Sequence, residues 1–190
     1  VSASKMPRTM SPGTALRRHL EWFVKELVSL QAEDGYLGPW PKECRLANRA
    51  PNSSRRNGLT WDTWGHYHLM LGLLLWHRET GDPEALACSR RIGDLLCRRF
   101  RETGELMAPT GGPEMNLAPI HSLCLLYRTT GNPDYLDLAY RIEKEFEAPT
   151  AGDYVRATLA GKEFYQLATP RWESLHPIQG LVELYFISGE

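Results

Sequence analysis

From Tyr67 to Trp76 the only polar side chain is His68, so a helix here is buried on most sides. Asp62 reads as its N-cap and Gly81 as the left-handed residue that closes it. Asp82-Pro83-Glu84 then opens a second helix, with Asp82 as N-cap and Pro83 at the first helical position. That second arm, from Pro83 to about Phe100, is one-sided. Leu86, Ile92, Leu95 and Leu96 oppose Arg90, Arg91, Arg98 and Arg99, as expected of an outer helix covering an inner one.

The pattern recurs along the chain. Thr14 is expected to cap a first helix with apolar positions Leu16, Leu20, Phe23, Val24, Leu27 and Leu30. A second hairpin runs from Glu114, turns at Thr130-Gly131-Asn132-Pro133-Asp134 and ends its outer arm near Glu147. A third inner arm begins at about Trp172 and reaches Ser188-Gly189-Glu190. Segments 39–59 and 148–169 read as loops, and 1–13 as an extended arm. Repeated hairpins with buried inner arms predict an all-α fold, part of an α/α toroid, over residues 14–190. The third inner arm lacks an outer arm before Glu190. Further chain, or an oligomeric partner, is therefore expected to cover it, and the first residue, Val1, fits a processed or excerpted sequence.

The formal net charge of −1 gives no electrostatic reason to expect nucleic acid or an anionic membrane as partner. No apolar run approaches the roughly 20 residues that span a bilayer. The N-terminal stretch lacks the pattern of a secretory signal, which favours the cytoplasm. Cys44, Cys88, Cys97 and Cys124 contain no C-x-x-C pair and read as buried reduced thiols.

Candidate chemistry sits at the openings of the inner arms. His66 and His68 are spaced i, i+2 and face different sides, which argues against a metal pair. Trp64 and His68 share a face. In a toroid the inner-helix N-termini ring one mouth of the cavity, where His68 can hydrogen-bond a sugar hydroxyl beside Trp61 or Trp64. A buried His satisfied by a backbone carbonyl is the competing reading. Glu173 and His176 follow Trp172 within one turn, a carboxylate, an imidazole and an indole suited to carbohydrate, although a Glu there also suits the helix dipole. Glu114 and Asn116 open the second inner helix and are further cavity candidates, whereas Asp34 and Tyr36 read as a turn with an aromatic anchor.

These motifs together resemble the β-L-arabinofuranosidase-like glycoside hydrolases, family 127 and its relatives. The carriers are Gln31-Ala32-Glu33-Asp34-Gly35-Tyr36-Leu37-Gly38, the Trp61–Leu69 segment, the two T-G-[DN]-P turns, and Trp172-Glu173 leading to Gly180-Leu181-Val182-Glu183-Leu184-Tyr185. The resemblance implies an (α/α)6 catalytic barrel that binds a terminal sugar. It also implies retaining hydrolysis by a Glu acid/base and a zinc-bound cysteine nucleophile in the second half of the barrel. None of the four cysteines here matches that nucleophile. No metal is therefore expected in this chain, zinc is expected only in the full-length protein, and the catalytic residues are unassigned. What carries over is sugar-facing: His68 first, then Glu173, then Trp61, with His66 and His176 beside them. Two alternatives remain. One is a metal-free epimerase or uronate-processing enzyme using His66, His68, Glu173 and His176. The other is a non-catalytic helical-repeat binding module, which predicts an exposed apolar patch along the third arm.

Overall fold

The computed structural model describes residues 12–47, 49–50, 60–110, 112–147, 151, 153–167 and 170–190. Helices α1 (Pro12–Ser29), α2 (Asp62–Thr80), α3 (Pro83–Leu96), α4 (Pro113–Asn116), α5 (Pro119–Thr130), α6 (Pro133–Glu145), α7 (Tyr154–Leu159) and α8 (Leu175–Ser188) follow in order, with no strand among the described residues. Inner helix α5 packs between α2 and α8, while α3 covers α2 and α6 covers α5. This is the packing of helical hairpins in part of an α/α toroid.

Three helix ends share one piece of local chemistry. Gly81, Gly131 and Gly189 all adopt positive φ, at 74°, 72° and 78°, and each N–H closes onto the carbonyl four residues back. The hydroxyl just before each glycine donates to its own i−4 carbonyl: Thr80 to Trp76 at 2.7 Å, Thr130 to Leu126 at 2.7 Å, Ser188 to Leu184 at 2.9 Å. The same hydroxyl accepts the N–H of the residue after the glycine. Asp82 and Asn132 then cap α3 and α6 by accepting from Glu84 N at 2.9 Å and Asp134 N at 3.1 Å. The repeat is thus written mainly in its turns.

Several expectations are corrected. α1 starts at Pro12, so Thr14 lies within it rather than capping it; residues 1–11 of the expected arm lie outside the described residues. Only Val24 of its apolar stripe is buried, while Leu16, Phe23 and Leu30 are exposed. Asp62 does not cap α2: Trp61 holds the N-cap position, and the Asp62 carboxylate reaches instead to Tyr36 and Leu46. The second inner arm is broken after Asn116 and resumes at Pro119, whose missing N–H suits a first helical position. The outer arm continues past α3 as a π-helical turn, Cys97–Glu102. The 148–169 segment is more than loop: α7 is anchored by Tyr154, which stacks edge-on against Phe146 and donates to Ser174 Oγ at 2.7 Å.

All four cysteines are buried free thiols. Burial pushes Cys88 up to about 11, and Cys97 and Cys124 up to about 12, which holds these three in the thiol form at neutral pH. No described helix is long and apolar enough to cross a membrane.

Candidate sugar site

Trp64 and His68 lie one turn apart on α2 and meet edge-on, ring centroids 4.4 Å apart. Trp172, on the 3-10 turn Trp172–Ser174, and His176, on the first turn of α8, form a matching pair at 5.7 Å. The two pairs close on each other. Trp64 lies 4.9 Å from His176 and 6.0 Å from Trp172, and the two imidazoles stand 5.2 Å apart. Beneath them Tyr67 is fully buried, and its hydroxyl reaches His176 Nδ1 at 2.8 Å and His121 Nδ1 at 3.1 Å. Three inner helices, α2, α5 and α8, thus bring one histidine each to the same mouth.

The electrostatics of the cluster are uniform. Desolvation pulls all three imidazoles below their ordinary value, although His68 itself is exposed. For His68 and His121 the neighbouring His176 adds to the effect; Glu183 opposes it at His121 and Glu173 at His176. Burial raises the Tyr67 phenol to about 12. At neutral pH the cluster is therefore three neutral imidazoles, one phenol and two indoles. Each neutral imidazole carries one donor and one acceptor. That set suits an uncharged, hydroxyl-rich ligand whose apolar face can rest on an indole.

The remaining candidates divide. Glu173 is half-buried, and its Oε2 is shielded with no hydrogen-bond partner among the described residues. Trp61 is 49% exposed, sits at φ 47°, and shares no ring contact with the cluster among the described residues. Glu114 is buried and ion-paired with Arg171 rather than free in the cavity. Asn116 is fully buried; its Nδ2 donates to Thr110 Oγ1 at 2.9 Å and its Oδ1 has no partner among the described residues.

His66 is placed apart from the cluster. It is 1% exposed, its Nε2 accepts from Leu37 N at 3.2 Å, and its Nδ1–H donates to Asp62 O at 2.7 Å. Leu37 N can only donate and Asp62 O can only accept, so the tautomer is determined and both ring nitrogens are spent on backbone. No nitrogen of His66 remains for a ligand. Asp34 and Tyr36 form the turn the sequence suggests: Tyr36 N donates to Asp34 at 3.1 Å, and Arg45 bridges them, 4.1 Å over the Tyr36 ring and 3.0 Å from Asp34.

Two residues of the cluster, Tyr67 and His121, are not among the candidates that the sequence pattern marks. A phenol inside the apolar α2 run was one available signal, because a buried hydroxyl needs a partner. The repeat register was another. Counted back from Gly81 and Gly189, Trp64 and Trp172 share one position and His68 and His176 share the next, a W-x-x-x-H in the first and third inner arms. In the middle arm those places are held by Glu114 and Ala118.

A groove of about 680 Å³ also lies between α1 and α2, with His68 at its edge. Its walls are mostly apolar, with Leu16, Leu20, Phe23, Leu69 and Leu75, and its polar groups include Arg17, His68, Glu79 and Thr80. Among the described residues no group of three or more His, Cys, Asp or Glu side chains could hold a metal ion.

An all-helical array of packed hairpins is the architecture of part of an α/α toroid. The chain belongs to the β-L-arabinofuranosidase, GH127 catalytic domain family, whose model matches residues 2–171. It is also 30% identical over 142 residues to a non-reducing end β-L-arabinofuranosidase of Bifidobacterium longum subsp. longum, a match covering 73% of this chain and 21% of that protein. The match thus spans about a fifth of the length of this curated relative. No solved structure matches the chain significantly.

Proposed function

We propose that this chain forms the sugar-facing wall of a glycoside hydrolase acting on a terminal neutral pentofuranoside, of which a non-reducing-end β-L-arabinofuranoside is the leading case. The observation that carries this is the convergence of His68, His121 and His176 from three inner helices, all neutral at working pH and flanked by Trp64 and Trp172. Membership of a glycoside hydrolase family supports the reaction class. In this reading the wall holds and orients the sugar hydroxyls, and the general acid/base and nucleophile come from chain beyond the matched fifth. The exposed face of α8, with Val182, Tyr185 and Phe186, fits either a binding module or an enzyme whose further chain covers it.

In the complete protein, His68→Ala is expected to lower kcat/KM on an aryl β-L-arabinofuranoside by roughly tenfold or more, the usual worth of one positioned hydrogen bond. Unchanged kinetics from a folded variant would remove His68 from the site. Residues 1–190 alone are expected to show no turnover on the same substrate.

A further inference from the structure

The Tyr67 hydroxyl touches Nδ1 of two different histidines, yet it carries one proton. With both imidazoles neutral, the arrangement that gives both contacts a hydrogen and uses the phenol proton between them is donation to one ring and acceptance from the other. If both Nδ1 atoms were lone pairs, one contact would lack a hydrogen; if both were N–H, the phenol proton would have nowhere to go in the pair. O–H donors make the shorter bonds and N–H donors the longer. The shorter 2.8 Å contact to His176 suits Tyr67 O–H donating to Nδ1, and the longer 3.1 Å contact suits His121 Nδ1–H donating to the phenol oxygen.

We infer that Tyr67 is a positioning residue that locks His121 and His176 into opposite tautomers, so that the pair offers a ligand one acceptor, His121 Nε2, and one donor, His176 Nε2–H. Neither Nε2 has a hydrogen-bond partner among the described residues. A sugar hydroxyl is itself both donor and acceptor, and this pairing satisfies both of its functions where two like tautomers would satisfy one. The use of the pair on a sugar rests on the function proposed above; the tautomer lock rests on the Tyr67 contacts alone.

The test is a long-range proton–nitrogen correlation spectrum of the nitrogen-15-labelled chain at a pH of about 8, above the ordinary imidazole range. His121 is expected with its proton on Nδ1 and His176 with its proton on Nε2. Tyr67→Phe, which keeps the ring and removes the hydroxyl, is expected to lose this opposition, with both rings shifting to averaged tautomer signals while the backbone amide spectrum stays folded. Like tautomers in the unmodified chain, the reverse assignment, or an opposition that persists in Tyr67→Phe would each overturn the inference. Should Tyr67→Phe fail to fold, the spectrum of the unmodified chain decides alone. Addition of methyl β-L-arabinofuranoside separates the two claims: opposed tautomers whose signals do not respond to sugar would keep the lock and sink the sugar reading.

Discussion

Replacing Asp62 by Ala is expected to destabilise the chain by about 3–5 kcal/mol, a large part of what a domain of this size has to lose. The carboxylate is buried and accepts from Tyr36 Oη and from Leu46 N, each at 2.8 Å. Tyr36 is buried as well, and Leu46 is held at φ 53°, a conformation a leucine adopts only when its surroundings impose it. Removal of the carboxylate leaves two buried donors short of an acceptor and releases that backbone constraint. Asp62→Asn keeps one acceptor oxygen and should lose about half as much; chemical denaturation of the three proteins measures both. Equal stability of Asp62→Ala and the unmodified chain would contradict this role.

The same node makes the fold acid-sensitive. Burial pulls His66 below its ordinary value, and protonating Nε2 would in addition set an N–H against the N–H of Leu37. A depressed native pKa means that the unfolded chain takes up the proton first. Stability is therefore full above about 6.5 and is lost as pH falls from there through the native value. His68, His121 and His176, also lowered, act in the same direction. His66→Gln, which can make both backbone bonds without titrating, should flatten part of that slope.

Gly180→Ala carries the second large effect, about 2–4 kcal/mol of lost stability. A methyl at Gly180 would stand 2.3 Å from Ile120 Cγ2 and 2.8 Å from His121 N. The second neighbour is main chain and cannot rotate aside, so α5 and α8 must part. The displaced residue is His121 itself, so the variant should also lose the His121–Tyr67–His176 chain. Calorimetry reads the first consequence and imidazole nitrogen shifts read the second. A variant with unchanged melting would show that the two helices cross less closely than described.

What the sequence made legible was what neighbours in sequence decide. The turns at 80–82 and 130–132 use a hydroxyl, a glycine, a capping Asp or Asn and a proline within a few residues, so their form could be read directly. The break before Pro119 was also written locally and was missed because the apolar pattern runs on through it. Asp62 and His66 were illegible for a different reason. An Asp at a helix start looks the same whether it caps its own helix or reaches the Tyr36–Leu46 segment, and only the tertiary path distinguishes them. Of the site, His68, His176 and Glu173 were visible as residues at inner-arm openings. Tyr67 and His121 were not, because the bond that joins them runs between α2 and α5, 54 residues apart.

The most direct measurement is a titration of the labelled chain with methyl β-L-arabinofuranoside, followed on the imidazole nitrogens. The account predicts that the signals of His68, His121 and His176 move together while His66, with both nitrogens committed to backbone, stays still. If none of the three moves, or if His68, which also lines the α1–α2 groove, moves without His121 and His176, the cluster at the inner-helix mouth is not the sugar site.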